Sequence, residues 1–239
     1  MFLYFLYWGT GIILIPGIIF AIYAQFRVNS AFKKYDRVQT QNNVYANEVA
    51  QMLLEKNGCS VTVQRVGGNL SDNYNPKDYT LNLSNSTYGK NSIAAVGVAA
   101  HEVGHACQHN ENHFLLKLRM AIVPAVNIGS ALAFPLAIFG IILEYVASVS
   151  TFGTILIALG IVLYSLSTIF ALITLPVELD ASRRAEKMLV EGGYITSAER
   201  KKVRRVLSAA ALTYFASLVV SLLYLLRFLV IIARLRKND

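Results

Sequence analysis

Charged residues and cysteines are both scarce in this sequence. Asp, Glu, Lys and Arg make up only 15% of the 239 residues, whereas hydrophobic residues make up 55%. This composition excludes an ordinary soluble globular domain and favours an integral membrane protein with one modest polar region. The two cysteines, Cys59 and Cys107, form no C-x-x-C pair. We expect Cys107, in a segment predicted to be a packed helix, to be a buried thiol rather than part of a disulfide.

Acidic residues are fewer than basic ones, 14 against 22, which gives a formal net charge of +8. Such an excess can indicate nucleic-acid binding. Here the charges fall in blocks beside apolar segments, and Lys and Arg next to membrane spans explain the excess better. We therefore expect contact with membrane lipids and no nucleic-acid partner.

Four uncharged runs are long enough to cross a membrane, since about 20 apolar residues span the hydrocarbon core. They cover residues 2–24, 120–143, a segment that ends near 175 after a turn at "ASVSTFGT" (147–154), and 206–226. The first run lacks a basic N-terminal region and a good cleavage site. We expect it to be an uncleaved anchor rather than a signal peptide.

The polar segment between the first two spans, residues 25–119, predicts a small α+β domain. Apolar spacing in "NNVYANEVAQMLLEKNG" predicts a helix that ends at Gly58. "SVTVQRV" and "YTLNLS" alternate like strands, and "GGNLSDNYNPKD" between them is rich in turn residues and is predicted to be a loop. Asn91 or Ser92 can cap a following helix that starts at Ile93.

That helix carries "VAAHEVGHACQHN", in which three histidines lie four residues apart: His101, His105 and His109. Residues i and i+4 lie on one face of a helix about 6 Å apart along its axis, so His101 and His105 can share one zinc. His109 is roughly 12 Å from His101 at a rise of ~1.5 Å per residue, too far for both to bind one ion. We therefore expect His109 not to be the third ligand.

Glu102 completes the H-E-x-x-H pattern. Zinc lowers the pKa of a bound water towards about 7, and a carboxylate at this position can accept the proton of that water. The pattern therefore indicates a metalloprotease with Glu102 as general base. The competing interpretation is a helix with two exposed histidines that binds no metal.

A catalytic zinc also needs a third protein ligand and an open position for water. The carboxylates that follow the third span are the candidates: Glu178, Asp180, Glu186 and Glu191. Composition and spacing alone do not choose among them.

The segment "LPVELDASRRA" resembles the E-F-x-A-D-x-x-A segment of gluzincin membrane proteases such as HtpX and the CAAX prenyl proteases. The resemblance implies that Glu178 is the third zinc ligand, with Ala181 and Ala185 at the alanine positions. Ser182 stands where that family has an aspartate that orients a ligand. The partner of the histidines is therefore Ser182, Asp180 or another residue. Two spans separate His101 from Glu178, which places both on one side of the membrane.

Three blocks resemble the YugP-type family of neutral zinc metallopeptidases more closely, over nearly the whole chain. They read "SIAAVGVAAHEVGHACQH", "LPVELDASRRA" and "RRVLSAAALTY". The resemblance implies the fold and a Zn²⁺ cofactor. The family's loop reads closer to "DHYDPR" where this chain has "DNYNPK", so the role of that loop's histidine does not carry over.

Substrate binding and oxyanion stabilisation have several candidates. The strand Thr80, Leu81, Asn82, Leu83 is predicted either as a sheet edge that pairs with an extended substrate or as an ordinary core strand. The oxyanion of the tetrahedral intermediate has candidates in His109, His113 and basic residues such as Arg183. "VELDASRRAEKMLVEGG" predicts a helix that begins at Pro176, and Thr196 and Glu199 predict a capping box for the next helix.

The sequence as a whole predicts a mainly α membrane protein with about four transmembrane helices and a small α+β zincin-like catalytic domain at the membrane surface. The predicted segments are an anchor (1–25), the catalytic domain (26–119), a transmembrane hairpin (120–176), the third-ligand and basic helices (177–205), and a fourth transmembrane helix with a basic tail (206–239). We expect a zinc endopeptidase that acts on polypeptides such as membrane or misfolded proteins. The alternative is a catalytically silent, zinc-stabilised membrane scaffold; a transporter is disfavoured because the spans carry no ionisable residue between their ends.

Basic residues flank the spans unevenly. Arg27, Lys33, Lys34 and Arg37 follow the first span, and no lysine or arginine precedes it. This asymmetry predicts a multi-pass protein of the plasma membrane with its catalytic domain in the cytoplasm, although the basic C-terminal tail runs against the rule.

Overall fold

The structure, a computed structural model, describes residues 9–146 and 150–236. The described elements are a short 3₁₀ turn at Gly11–Leu14, six α-helices and three β-strands. In chain order they are α1 (Ile15–Asp36), α2 (Ala46–Lys56), β1 (Thr62–Arg65), β2 (Asn73–Asn75), β3 (Thr80–Leu83), α3 (Ile93–Asn110), α4 (Phe114–Val146), α5 (Ser150–Glu191) and α6 (Ser197–Arg236). The predicted fold class, a mainly α membrane protein with a small α+β part, is confirmed.

Four of the described helices are long and apolar enough to cross a membrane, as the sequence predicts. They lie at Gly11–Asp36, Phe114–Leu143, Thr151–Glu191 and Ser197–Ala233. Residues 2–8 of the first predicted span and residues 147–149 of the predicted turn lie outside the described residues. The rest of that turn was predicted wrongly, because α5 already begins at Ser150.

Helix α5 runs through Pro176 without a break, so the predicted helix start at this proline is wrong. Proline removes one backbone hydrogen bond of the helix, which a helix of 42 residues tolerates when both of its halves are held by packing. Beyond the proline, Val177, Ala181, Ala185 and Leu189 form a fully buried stripe at four-residue spacing. Burial of this stripe stabilises the continued helix.

The chain divides into two compact units. The apolar unit comprises residues 1–23, 118–175 and 214–239, and the sheet unit comprises residues 24–117 and 176–213. All three strands and the H-E-x-x-H helix belong to the sheet unit. The functional site is therefore built inside one unit.

The sheet has the order β1-β3-β2. Strand β3 pairs in parallel with β1 over Thr80–Leu83 and antiparallel with β2 over Thr80–Asn82. Of the two alternatives predicted for Thr80, Leu81, Asn82 and Leu83, the structure has the ordinary core strand and not the sheet edge, because both sides of this strand are already paired. Leu81 and Leu83 are fully buried, which favours a central position. Strand β2, predicted to be loop, is an edge strand.

The ends of three helices have the capping residues that the sequence predicts. The Ser92 hydroxyl accepts a hydrogen bond from the Ala95 amide and caps α3, while Gly58 takes a positive φ after α2. The Glu199 carboxylate accepts from the amide and the hydroxyl of Thr196, as the predicted capping box requires. Cys107 is a buried free thiol, as predicted.

Small residues let α3 approach its neighbours closely. A Cβ added at Gly104 would lie 2.7 Å from the carbonyl oxygen of Ala181 in α5. A Cβ added at Gly97 would lie 3.2 Å from a methyl group of Val203 in α6. The backbones of α3 and α5 therefore touch at Gly104, whereas Gly97 faces a side chain that can shift.

We predict that Gly104→Ala destabilises the protein and lowers its zinc content. The added methyl group meets backbone, and overpacking of this kind costs about 1–3 kcal/mol. Gly97→Ala is the matched control on the same helix, where a gain of roughly 0.5–1 kcal/mol in helix propensity offsets a mild clash. Thermal unfolding and metal analysis of both variants in detergent check this. Equal behaviour of the two variants would contradict the close approach at Gly104.

Candidate metal centre

Three side chains from α3 and α5 converge on one point. The Nε2 atoms of His101 and His105 lie 3.2 and 3.4 Å from the Oε2 atom of Glu178. Ligand atoms of these three residues all lie within 4.8 Å of one another. Atoms bound to a tetrahedral zinc at ~2.0–2.1 Å lie about 3.4 Å apart. The separations from Glu178 therefore fit a zinc ion, and these residues are the ones that could hold it.

The Glu178 carboxylate is buried, with 2% of its side chain exposed. Burial raises its pKa, but hydrogen bonds and charge interactions with both histidines outweigh burial and hold the pKa well below its usual value. Burial lowers the pKa of His105, yet its contacts with Glu178 and the charge of Glu102 leave that pKa raised overall. Glu178 is thus held as an anion beside the two imidazoles, and its negative charge favours a bound cation.

Each histidine ring is held by its other nitrogen. The Nδ1 atom of His101 lies 3.1 Å from the hydroxyl of Ser182, and Nδ1 of His105 lies 3.0 Å from Oε1 of Gln108. A glutamine oxygen can only accept, so neutral His105 carries its proton on Nδ1 and leaves Nε2 as a free lone pair. Both rings therefore present Nε2 towards Glu178, as metal ligation requires.

Gln108 connects the centre to the start of the polar part of α5. It is fully buried, and its Nε2 donates to the Val177 carbonyl at 2.9 Å and to the Asp180 carboxylate at 2.8 Å. Asp180 also accepts from Arg184 at 2.7 Å. Burial raises the Asp180 pKa, but these hydrogen bonds and the Arg184 charge lower it by more than burial raises it. The pKa of Asp180 therefore lies below its usual value. Gln108 is thereby fixed in one orientation.

Glu102 lies next to His101 but faces the sheet. Its carboxylate is buried and accepts a hydrogen bond from the backbone N–H of Tyr74 at 2.9 Å. Tyr74 is the middle residue of β2 and pairs with Leu81 of β3. Its N–H points away from β3, so the carboxylate of Glu102 meets the outer edge of the sheet.

His109 lies apart from the metal ligands, as its spacing predicts. Its Nδ1 atom is 2.7 Å from the hydroxyl of Tyr74, and its ring packs 5.6 Å from that of Tyr79. Burial raises the pKa of Tyr74 to about 12, so this phenol is neutral at physiological pH. Tyr74 is thus held to α3 at both its amide and its hydroxyl.

The remaining oxyanion candidates lie in other surroundings. The Nε2 atom of His113 is 4.0 Å from the Asp180 carboxylate, which in turn accepts a hydrogen bond from Gln108. Arg183 is exposed and lines a cavity of about 500 Å³ together with Ser182. Neither residue belongs to the group of candidate metal ligands. The choice among these oxyanion candidates stays a prediction.

Sequence reasoning missed Gln108 and Tyr74. Gln108 follows His105 by three residues, and this spacing on one helix face could have indicated a partner for that histidine. Tyr74 gave no usable signal, because a strand of three residues among Asn, Asp and Pro is not distinguishable from a loop.

Two histidines of an H-E-x-x-H helix and a carboxylate from a later helix define a site of the zinc metallopeptidase class. A family described as "Putative neutral zinc metallopeptidase" matches residues 10–233, and the chain belongs to this family. The chain is also 44% identical, over 213 residues, to a protein of Bacillus subtilis (strain 168) named "Putative membrane protease YugP". That match covers 88% of this chain and 91% of the relative. No solved structure gives a significant match.

We predict that Glu178→Ala empties the metal site and that His109→Ala leaves it filled. Loss of a ligand removes a bond to the metal, whereas His109 contacts Tyr74. Zinc per purified chain, measured by inductively coupled plasma mass spectrometry, checks this. The ligand assignment is wrong if His109→Ala strips the metal while Glu178→Ala retains it.

Proposed function

We propose that this protein is a membrane-embedded zinc metalloendopeptidase of the gluzincin kind. The observation that carries the proposal is the position of Glu102. Its carboxylate lies on the same helix as His101 and His105, and it contacts the outer edge of β2. A proton acceptor, a metal-binding triad and a strand edge for a peptide thus meet at one place.

Each residue has a defined role in the proposed reaction. His101, His105 and Glu178 hold the ion, which when bound polarises the scissile carbonyl and lowers the pKa of water. Glu102 takes a proton from the attacking water and passes it to the leaving amine. Ser182 and Gln108 keep the two histidine rings in place. His109, His113 and Arg183 are the proposed alternatives for the residue that stabilises the oxyanion.

We propose β2 as the strand that binds substrate, in place of the central strand β3. In the described part of the chain β2 pairs with β3 alone, and the outward N–H of Tyr74 donates to Glu102. An extended peptide would pair with this edge by taking the place of Glu102 on that N–H. Such pairing uses backbone groups and tolerates many substrate sequences. This suits a protease that acts on membrane or misfolded proteins.

We predict that Glu102→Gln retains about one zinc per chain and loses proteolysis. The amide keeps the shape of the side chain but cannot accept the proton, and general-base catalysis contributes roughly 10²- to 10⁴-fold. Cleavage of a denatured, fluorescently labelled protein by the purified enzyme measures the effect. Glu48→Gln, an exposed carboxylate on α2, is the control.

Two outcomes would contradict parts of this proposal. Wild-type turnover in Glu102→Gln would remove Glu102 from the mechanism. A wild-type protein that binds zinc but cleaves no tested polypeptide would favour the silent membrane scaffold instead.

We further propose that the sheet unit lies in the cytoplasm, because Lys and Arg flank its ends of the spans. Ser71 is exposed in the β1–β2 loop, and Ser71→Cys in a Cys59→Ala, Cys107→Ala background gives one reactive thiol. We expect a membrane-impermeant maleimide to label it only after permeabilisation. Ser148→Cys, in the turn predicted between the second and third spans, should label in intact cells. The reverse pattern would place the sheet unit outside.

A further inference from the structure

A basic groove lies between the polar ends of α1 and α6, within the sheet unit. Its volume is about 710 Å³. Its basic lining residues are Arg27 and Lys34 of α1 and Lys201, Arg204 and Arg205 of α6. The proposed peptidase chemistry uses none of them.

The groove is strongly cationic. Two of its lining side chains on α1 and three on α6 are Lys or Arg, and among the described residues no Asp or Glu lines it. Glu186 lies 3.9 Å from Arg204 and offsets part of this charge. The charged residues that line the groove itself are all basic, which favours an anionic ligand.

Tyr35 orders two of these cations. Its hydroxyl accepts a hydrogen bond from Arg205 at 3.1 Å, and the Lys34 ammonium lies 5.6 Å from the centre of its ring. The Tyr35 side chain is buried, so it forms a fixed floor of the groove. Arg205 and Lys34 are therefore held near each other across two helices.

The other end of the groove is apolar. Phe26 is 67% exposed, and Leu212 of α6 lines the same groove. Both residues lie towards the apolar middle of helices long enough to cross a membrane, whereas Lys34 and Lys201 lie towards their polar ends. A ligand that fits both ends carries an anionic group and a hydrocarbon chain.

We propose that this groove binds an anionic phospholipid. The phosphate lies among Lys34, Lys201 and Arg205, and an acyl chain runs along Phe26 and Leu212. Basic sites between membrane helices recognise such headgroups by charge. The proposal is independent of the peptidase activity.

The test is a lipid competition on the full-length protein in detergent. Native mass spectrometry counts bound lipid in an equimolar mixture of phosphatidylglycerol and phosphatidylcholine with the same acyl chains. We expect wild type to retain phosphatidylglycerol. Lys34→Gln with Lys201→Gln should weaken this retention by roughly 10- to 30-fold, as expected for two cations near a phosphate.

The matched control is Lys33→Gln with Lys202→Gln. It removes the same charge from neighbouring positions of the same helices that do not line the groove. We expect it to bind phosphatidylglycerol as wild type does. Should the groove variant fail to fold, Arg205→Gln, an exposed lining residue, is compared with Lys202→Gln, which removes the same single charge outside the groove.

Three results would overturn the proposal. Equal loss of lipid in the groove and control variants would indicate diffuse attraction to a charged surface. Equal retention of the two lipids by wild type would exclude headgroup recognition. Displacement of phosphatidylglycerol by millimolar inorganic phosphate would identify a site for soluble anions.

Discussion

The backbone contact between α3 and α5 at Gly104 and Ala181 is the constraint on which the metal centre depends. His101 and His105 share one face of α3 by helical geometry alone, because they are four residues apart. Glu178 comes from a different helix, one turn before Ala181, and reaches both histidines only if the two backbones touch. The hydrogen atom in place of a side chain at Gly104 permits that contact. A glycine between two ligands is therefore a structural requirement of this site.

The same contact makes the centre dependent on buried polar partners. Glu178 is removed from water, and a buried carboxylate is costly unless charges or hydrogen bonds compensate it. The two imidazoles compensate the buried charge of Glu178. Gln108 accepts a hydrogen bond from His105 and is itself held by hydrogen bonds to Val177 and Asp180. Metal binding adds positive charge where the protein already concentrates negative charge. The centre and the α3–α5 interface thus stabilise each other.

Features set by local geometry were predictable, and features set by distant contacts were not. The candidate metal-binding pair of histidines, the helix caps at Ser92 and Thr196, and the apolar helices follow from residue spacing and composition. The order of the strands depends on which segments meet in space. An alternating pattern such as Thr80–Leu83 is therefore the same for an edge strand and for a central strand. The helix start predicted at Pro176 was wrong for a related reason. Burial of the residues after Pro176 stabilises the helix by more than the loss of one backbone hydrogen bond destabilises it.

The position of Glu102 favours the proposed peptidase over a metal-stabilised scaffold on physical grounds. A structural zinc site is closed by four protein ligands, whereas a catalytic one keeps a position open. In the described part of the chain, three side chains form the group that could hold a metal, and a further buried carboxylate, that of Glu102, contacts the outer edge of β2. In the proposed peptidase, this carboxylate is the proton acceptor at the place where a peptide would pair with the sheet.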